Sequence, residues 1–244
     1  MKPAFPGPPF ARAALLLDLD GTLLDLAPTP DEVVVPPGLL DVLRTVFEGL
    51  GGALAIVTGR PIDTVDALLG DVPFAVSGEH GGALRFAPGA PIERPDVRPP
   101  PCAWIDRAAA LEAEFPGSIL ELKARGFGVH FRLAPAAGPA VQRALSELVA
   151  GSADFELLHS AMLYEVRPRG IDKGTAVVSL MRRVPFLGRV PVFIGDDLTD
   201  EDGMRAARAM GGIGMRVQDA FGDAMGVRAW LSETAARGDW GALP

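Results

Sequence analysis

Cysteine is almost absent from this sequence of 244 residues, which contains only Cys102. A single cysteine cannot form a disulfide within the chain, and such scarcity is typical of proteins from a reducing compartment. Cys102 follows three prolines and has no obvious base near it in the sequence, so we expect it to pack rather than to react. The sequence also lacks any run of about 18 apolar residues, the length needed to span a bilayer. Its proline-rich start does not form the apolar core of a secretory signal, so we expect a cytoplasmic protein.

Positive charge is in short supply. Lys and Arg number 23 against 31 Asp and Glu, which gives a net charge of -8. An acidic chain repels nucleic acid and anionic membrane surfaces, so we expect neither as a partner. If the substrate is itself an anion, a local group of positive side chains has to collect it. Hydrophobic residues make up 48% of the chain, which is enough for one large domain or for a domain with a smaller insert.

The order of the apolar segments predicts an α/β fold with a doubly wound, mostly parallel sheet. Short continuous apolar runs are typical of strands buried on both faces, and the segments between them follow helical spacing. The predicted strands lie at 13–17, 53–57, 74–76, 190–195 and 212–217. The predicted helices of the same part lie at 39–50, 61–69, 173–183 and 200–210.

A smaller α/β unit interrupts this pattern. Prolines cluster from 88 to 101 and mark a boundary, and the first pattern resumes at Gly170. The predicted elements in between are a helix, a hairpin, a second helix and two strands, at 103–115, 118–133, 136–150, 155–158 and 162–166. We therefore predict a core domain of residues 1–96 and 168–244 with an inserted domain of residues 97–167.

Polar residues end three of the predicted strands of the larger unit. They form the segments Asp18-Leu-Asp20-Gly-Thr22, Thr58-Gly59-Arg60 and Gly195-Asp196-Asp197. Open α/β sheets bind their ligands beyond the carboxyl ends of the strands, so we expect these segments to meet there. Carboxylates gathered in one crevice repel one another, and a hard cation with oxygen ligands would relieve that repulsion. Few ligands and a phosphate substrate favour Mg²⁺, although Asp18 to Gly21 could also be a plain strand-ending turn.

The acidic run that begins at Asp196 has two interpretations. Carboxylates in the first turn of a helix are favoured by the helix dipole, which explains Asp200 and its two acidic neighbours. The dipole does not explain Asp196 and Asp197, which follow the strand directly, and we predict a metal-binding role for Asp196.

Lys173 opens a predicted helix, with Asp172 as a plausible N-cap. This end of a helix is unfavourable for a cation, so Lys173 is either a solvated side chain or the partner of a phosphate and a carboxylate. Thr58 and the amide of Gly59 can bind phosphate oxygens near a helix N-terminus.

Four segments occur in the order of the motifs of the haloacid dehalogenase-like phosphatases, which the chain resembles from about residue 13 to residue 235. They are Asp18-x-Asp-Gly-Thr-Leu, Thr58, Lys173 and Gly195-Asp-Asp-x-x-Asp. The resemblance implies that Asp18 attacks phosphorus and becomes an aspartyl-phosphate. Asp20 then protonates the leaving oxygen and later activates water, while Thr58 and Lys173 hold the transferring group.

The same resemblance implies a magnesium site. Its ligands are Asp18, the backbone carbonyl of Asp20 and Asp196, with support from Asp197 and Asp200. We also predict that Thr22, Gly59 and Arg60 contact the substrate.

The inserted unit resembles the α/β cap domain of the sugar-phosphatase branch. If its hairpin pairs in register, one polar face carries Glu121, Lys123, His130 and Arg132. The other face then carries Leu120, Leu122, Val129, Phe131 and Leu133. An ordinary half-exposed sheet would show the same alternation.

Several sequence segments are also similar to segments of the trehalose-6-phosphate phosphatases. The similar segments are Glu-x-Lys followed by His-x-Arg, Glu165-Val-Arg-Pro ahead of Lys173-Gly, and Ser77-Gly-Glu79-His80-Gly81. A phosphorylated disaccharide would then be bound by Glu79, His80, Gly81, Glu121, Lys123, His130, Arg132 and Glu165. The chain departs from that family at Gly203-Met204, where a phenylalanine is frequent.

We therefore predict a monomeric, Mg²⁺-dependent enzyme that hydrolyses trehalose 6-phosphate. One alternative is another sugar phosphatase of the same branch, acting on sucrose phosphate or on phosphorylated glucosyl- or mannosyl-glycerate. A second is a phospho-accepting signalling module, which would lack a cap and have about half this length. A third is a catalytically silent sugar-binding domain, which the full set of motif residues disfavours.

Overall fold

The computed structural model describes residues 7–27, 29, 32–160, 162–240 and 243. The described residues up to Arg94 and from Asp172 onward form one compact unit, and Pro95–Ile171 form another. The predicted limits of the insert, 97 and 167, lie a few residues inside the second unit. Among the described residues, none of the helices combines the length and the apolar character needed to cross a membrane.

The described strands and helices alternate along the first and last parts of the chain. The strands are β1 (Ala13–Leu17), β2 (Leu54–Val57), β3 (Ala75–Gly78), β4 (Ala83–Arg85), β5 (Ile119–Lys123), β6 (Gly126–His130), β7 (Phe155–Ser160), β8 (Leu163–Pro168), β9 (Val190–Gly195) and β10 (Ile213–Arg216). The helices are α1 (Leu39–Gly49), α2 (Ile62–Leu69), α3 (Cys102–Glu114), α4 (Gly138–Val149), α5 (Lys173–Met181), α6 (Asp200–Ala209), α7 (Val217–Ala220) and α8 (Ala224–Arg237).

The larger unit is built on a six-stranded sheet in the order β10-β9-β1-β2-β3-β4. Neighbouring strands of this sheet run parallel, except that the edge strand β4 pairs antiparallel with β3. Helices α1, α2 and α8 bury their apolar residues on one face of the sheet, and α5 and α6 do so on the other. Successive β1 residues join alternate layers, as Leu15 and Leu16 illustrate. The predicted doubly wound α/β fold is confirmed.

The smaller unit is an antiparallel sheet in the order β5-β6-β8-β7. Helices α3 and α4 cover one face of this sheet and pack on Phe127, Val129 and Val166. The predicted apolar face is partly wrong, because Leu122 and Leu133 are 58% and 63% exposed. Leu122 lies on the edge strand beside the hairpin turn, and Leu133 lies beyond the end of β6. Arg132 also follows the end of β6, so it does not continue the alternation of that strand.

Among the described strands and α-helices, β4, α7 and α8 were not predicted from the sequence. Helix α8 begins after Asp223, whose carboxylate accepts a hydrogen bond from the N–H of Gly226. It packs on α1 and fixes the segment that follows β1, because Arg228 Nη1 donates to Leu23 O (3.1 Å) and pairs with Asp25. The helix thus supports the loop that carries the first motif.

Candidate active site

The central strand of the larger unit ends in a buried carboxylate. Asp18 follows β1 directly, its backbone N–H donates to Ile194 O of β9 (2.9 Å), and its side chain is almost fully buried. Thr22 Oγ1 donates to Asp18 Oδ2 (3.1 Å). Gly21 has a φ of 79°, and a Cβ there would overlap the carboxylate of Asp196. The first and last acidic segments therefore meet at one edge of the sheet, as predicted.

Lys173 lies between two of the buried carboxylates. Its Nζ donates to Asp18 Oδ1 and to Asp200 Oδ1, both at 2.7 Å. Lys173 is only 3% exposed, which excludes the solvated side chain left open by the sequence. The predicted N-cap is also present, since Asp172 accepts from the N–H of Thr175 in a reciprocal capping box.

The charge on Lys173 is stabilised by its neighbours. Burial alone would lower the pKa of Lys173, but the charges of Asp18, Asp200 and Asp197 outweigh it and raise the pKa above its ordinary value. Lys173 is therefore cationic at neutral pH. It can meet an incoming phosphate dianion as well as the carboxylate of Asp18.

The segment after β9 is folded by hydrogen bonds to its own carboxylates. Asp200 Oδ2 accepts from the backbone N–H groups of Asp196 and Asp197, both at 3.0 Å. Asp197 Oδ1 accepts from the N–H and the hydroxyl of Thr199, at 2.8 and 2.6 Å, beside the start of α6. A Cβ on Gly195 would overlap Asp200, so this turn also requires glycine. Asp197 and Asp200 thus hold the turn that presents Asp196.

One oxygen from each of Asp18, Asp196 and Asp200 lies within 4.8 Å of the other two. Burial raises the pKa of Asp18 well above its usual range, and the charge of Asp200 adds to the rise against the opposing effect of Lys173. Burial also raises the pKa of Asp196 to about 7, with Asp197 and Asp200 as further causes. Three ionised carboxylates beside one lysine would leave net negative charge, and their oxygens suit a hard divalent cation.

Asp197 behaves differently from its neighbours. Burial would raise its pKa, but the charge of Lys173 and the hydrogen bonds from Thr199 and Asp200 outweigh burial and lower the pKa. Asp197 is thus ionised and already hydrogen-bonded. Its predicted place near the metal stays a prediction.

The second strand of the sheet ends in a loop that its neighbour supports. Thr58 is buried, and its N–H donates to Ser77 O (2.8 Å) of β3. The N–H of His80 donates in turn to Thr58 O (3.0 Å). A Cβ on Gly59 would lie 2.5 Å from the ring of His80, so the imidazole covers this glycine. Thr58 and Gly59 are therefore held in one conformation at the edge where Asp18 lies.

The short Glu79–Gly81 segment has an unusual backbone. Glu79 and His80 both have a φ of 53°, in the left-handed region that costs a non-glycine residue on the order of 1–3 kcal/mol. Arg94 Nη1 donates to Glu79 Oε1 at 2.6 Å, and the Glu79 side chain is nearly buried. Gly81 has a φ of 101°, and a Cβ there would overlap Asp172 O. Tertiary contacts thus maintain a strained loop beside the predicted phosphate-binding residues.

Arg60 forms a bidentate ion pair, or fork, with Asp20. Arg60 Nε donates to Asp20 Oδ2 at 2.6 Å, and Nη2 donates to Asp20 Oδ1 at 2.7 Å. Arg60 was predicted to contact the substrate, and that role stays a prediction. The pairing itself was not foreseen.

The polar face of the smaller unit carries one lysine–carboxylate ion pair and one histidine–carboxylate contact. Lys123 Nζ donates to Glu165 Oε2 at 2.6 Å, and His130 Nε2 lies 2.8 Å from Glu121 Oε2. Burial would raise the pKa of Glu121, but His130 and the charge of Lys123 outweigh it and lower the pKa. Gly128 stands opposite both Glu121 and Glu165 in the sheet register, so no side chain separates the pairs. The predicted residues of this face, apart from Arg132, are therefore brought together.

Two supporting arginines were missed in the sequence. Arg94 pairs with Glu79, and Arg228 holds the segment after β1, but neither lies in a motif or at the end of a predicted strand. The departure at Gly203 has a local reason. A Cβ there would lie 2.5 Å from the ring of Phe193, which already fills the space beside it.

The fold of the larger unit and its strand-end carboxylates, threonine and lysine define a phosphatase of the haloacid dehalogenase-like type. A family model described as trehalose-phosphatase matches residues 16–223. The chain belongs to the trehalose-phosphatase family. This confirms the resemblance seen in the sequence motifs.

Individual relatives are similar over most of their length. The trehalose-6-phosphate phosphatase of Escherichia coli is 35% identical over 85% of this chain and 78% of its own. A probable trehalose-phosphate phosphatase of Sinorhizobium fredii is 38% identical over 84% of this chain and 77% of its own. The solved C-terminal domain of the C. albicans trehalose-6-phosphate phosphatase has a TM-score of 0.72 at 23% identity, covering 82% of this chain and 74% of that one. At that identity the solved structure supports the fold alone.

Proposed function

We propose that this protein hydrolyses trehalose 6-phosphate to trehalose and phosphate through a phosphorylated Asp18. The observation that carries the proposal is the buried Asp18 carboxylate, hydrogen-bonded to Thr22 and Lys173 at the edge where three strands end. Membership of the trehalose-phosphatase family and the names of its relatives support the choice of substrate.

The chemistry takes two displacements at phosphorus. In the first, an oxygen of Asp18 forms a bond to phosphorus while the bond to the sugar oxygen breaks, and Asp20 gives its proton to that oxygen. In the second, water attacks the same phosphorus, passes a proton to Asp20 and displaces Asp18, which releases phosphate. Thr58 and Lys173 bind the phosphoryl oxygens, and the fixed charge of Lys173 stabilises the transition state.

A magnesium ion fits the donor set of this site. The oxygens of Asp18 and Asp196 are hard ligands in a cluster of three carboxyl groups beside one lysine. We propose that they hold the ion together with the backbone carbonyl of Asp20, and that Asp197 and Asp200 act through neighbouring groups. When bound, Mg²⁺ would neutralise charge on the transferring phosphoryl group.

The smaller unit is proposed as a cap that recognises the sugar. A disaccharide presents many hydroxyl groups, each able to donate to a carboxylate and accept from a cation. The Glu121–His130 and Lys123–Glu165 pairs offer both kinds of group on one face. By resemblance to the family, Glu79, His80 and Arg132 also bind the sugar.

Phosphate release measured across a panel of esters tests the substrate. The panel contains trehalose 6-phosphate, sucrose 6-phosphate, glucosyl-glycerate phosphate and p-nitrophenyl phosphate, each with Mg²⁺. We expect the highest kcat/KM for trehalose 6-phosphate and no turnover by Asp18→Asn. A rate on trehalose 6-phosphate no higher than that on the aryl ester would refute the assignment. A preference for another sugar ester would favour the competing sugar-phosphatase function.

We further propose that the protein works as a monomer in the cytoplasm and without nucleic acid or membrane partners. Its charge of -8 supports the lack of anionic partners. Light scattering of the purified protein tests the oligomeric state, and a dimer at enzymatic concentrations would contradict a monomer.

A further inference from the structure

The pairing of Arg60 with Asp20 joins the loops that end β1 and β2. Two N–H groups of one planar guanidinium donate to both oxygens of one carboxylate, at 2.6 and 2.7 Å. Such a two-point contact fixes the rotation of the carboxyl group as well as its position. A lysine at the same place would supply a point charge without this orientation.

Arg60 is itself held by its surroundings. Its backbone N–H donates to Thr58 Oγ1 (3.2 Å), and its carbonyl accepts from the N–H of Glu79 (3.0 Å). A Cβ on Gly78 would lie 2.7 Å from Arg60 O, so β3 packs closely against this backbone. The Arg60 side chain is 12% exposed and that of Asp20 is 28% exposed. The guanidinium is therefore a fixed support, and the carboxyl group it holds keeps an open side.

We infer that Arg60 is the positioning residue for the acid–base carboxyl group of Asp20. This inference rests on the proposed function, which gives Asp20 that chemistry. Arg60 contacts both oxygens of the Asp20 carboxyl group, so it fixes the direction in which the open side of that group faces. Arg60 thereby keeps Asp20 aligned with the leaving oxygen.

The dependence of rate on the leaving group distinguishes positioning from phosphate binding. An alkoxide leaving group needs a proton, whereas the dinitrophenolate of an activated aryl phosphate does not. Both esters carry a phosphate group that the site must bind, so a loss of phosphate binding would slow both. The quantity to compare is kcat/KM, because it covers only the steps up to formation of the aspartyl-phosphate.

We expect Arg60→Ala to lower kcat/KM for trehalose 6-phosphate by about 100-fold, the usual range for losing general acid catalysis. The same variant should lower kcat/KM for dinitrophenyl phosphate by only a few fold. Arg60→Lys should fall between wild type and Arg60→Ala on the sugar ester, because lysine offers no fork. Equal losses on the two esters would overturn the inference and assign Arg60 to phosphate binding.

A double-mutant cycle with Asp20→Asn gives a second readout. If Arg60 acts through Asp20, Arg60→Ala should cause little further loss of kcat/KM on the sugar ester once Asp20 is Asn. If the loss of kcat/KM in the double variant equals the product of the losses in the two single variants, the inference is overturned. Thermal melting checks that each variant folds, and Arg60→Lys carries the comparison if Arg60→Ala does not fold.

The two proposals fail in different ways. A wrong substrate is revealed by the wild type alone, which would prefer another sugar ester, and the leaving-group comparison then uses that ester. A wrong role for Arg60 is revealed only by the ratio of the losses on the two kinds of ester.

Discussion

Replacing Lys173 by methionine removes the cation that Asp18 and Asp200 share, and it should destabilise the protein strongly. Lys173 Nζ lies 2.7 Å from one oxygen of each carboxylate, and all three side chains are buried. Removing one partner of a buried ion pair costs about 3–5 kcal/mol, because the remaining charge is left uncompensated. For a protein of this size, that loss lowers the melting temperature by about 6–20 °C. Methionine fills similar space, so the loss is mainly electrostatic.

Thermal unfolding followed by circular dichroism in the presence of a chelator measures this effect. Arg205→Met is the matched control, because Arg205 also pairs with an aspartate, Asp202, but is largely exposed. An exposed pair contributes little to stability, so the control should melt close to wild type. If Lys173→Met melted within a degree or two of Arg205→Met, the buried ion pair would contribute no more to stability than the exposed one. Lys173→Met should also lose phosphatase activity, because it removes the charge proposed to bind the phosphoryl oxygens beside Asp18.

Three further results are expected. The rise in melting temperature caused by Mg²⁺ should be larger at about pH 8.5 than at about pH 5.5. The reason is that burial raises the pKa of Asp196 to about 7, and a metal ligand must be ionised. An equal rise at both pH values would contradict Asp196 as a ligand of the ion. Gly21→Ala should abolish phosphate release, whereas Gly188→Ala should keep it, because both glycines have a left-handed φ but only Gly21 faces a carboxylate; equal losses would mean that strain alone is responsible. Lys123→Met removes the cation beside buried Glu165. It should lower kcat/KM for the sugar ester by about 100-fold and for p-nitrophenyl phosphate only slightly. Equal losses on the two esters would argue against sugar recognition by the smaller unit.

The residues that end strands were predictable because parallel strands expose their carboxyl ends at one edge. Asp18, Thr58 and Asp196 each follow a continuous apolar run, and the order of the runs already predicts the parallel sheet. The fold and the meeting of these segments could therefore be derived without coordinates. The turn glycine Gly21 gave no such signal, because its role depends on how closely Asp196 approaches.

The partners of the buried charges were not predictable in the same way. The helix dipole gives only a weak preference, so it could not decide between a solvated and a buried Lys173. The answer depends on Asp200, which lies 27 positions further along the chain. Arg60 presents the same difficulty, because a guanidinium at a strand end suits a phosphate and a carboxylate equally well. Its pairing with Asp20 became visible only in the folded chain.

The missed elements have weak local patterns. Strand β4 has only three residues, at the edge of the sheet, which is too few for an alternation to be recognised. The buried positions of α8 do follow helical spacing, but they include Ala224 and Thr234, whose hydrophobic signal is small. In the hairpin, the alternation of residue types continued to Leu133, although the strand ends at His130. Tertiary packing, rather than the local pattern, sets these limits.

Chemical trapping during turnover tests most directly whether Asp18 carries the phosphoryl group. Borohydride reduces an acyl phosphate to an alcohol, so a phosphorylated aspartate becomes homoserine and can be located by peptide mass spectrometry. With trehalose 6-phosphate and Mg²⁺, we predict homoserine at position 18 in the wild type and none in Asp18→Asn. Homoserine at another aspartate, or sustained turnover by Asp18→Asn, would contradict the proposed nucleophile.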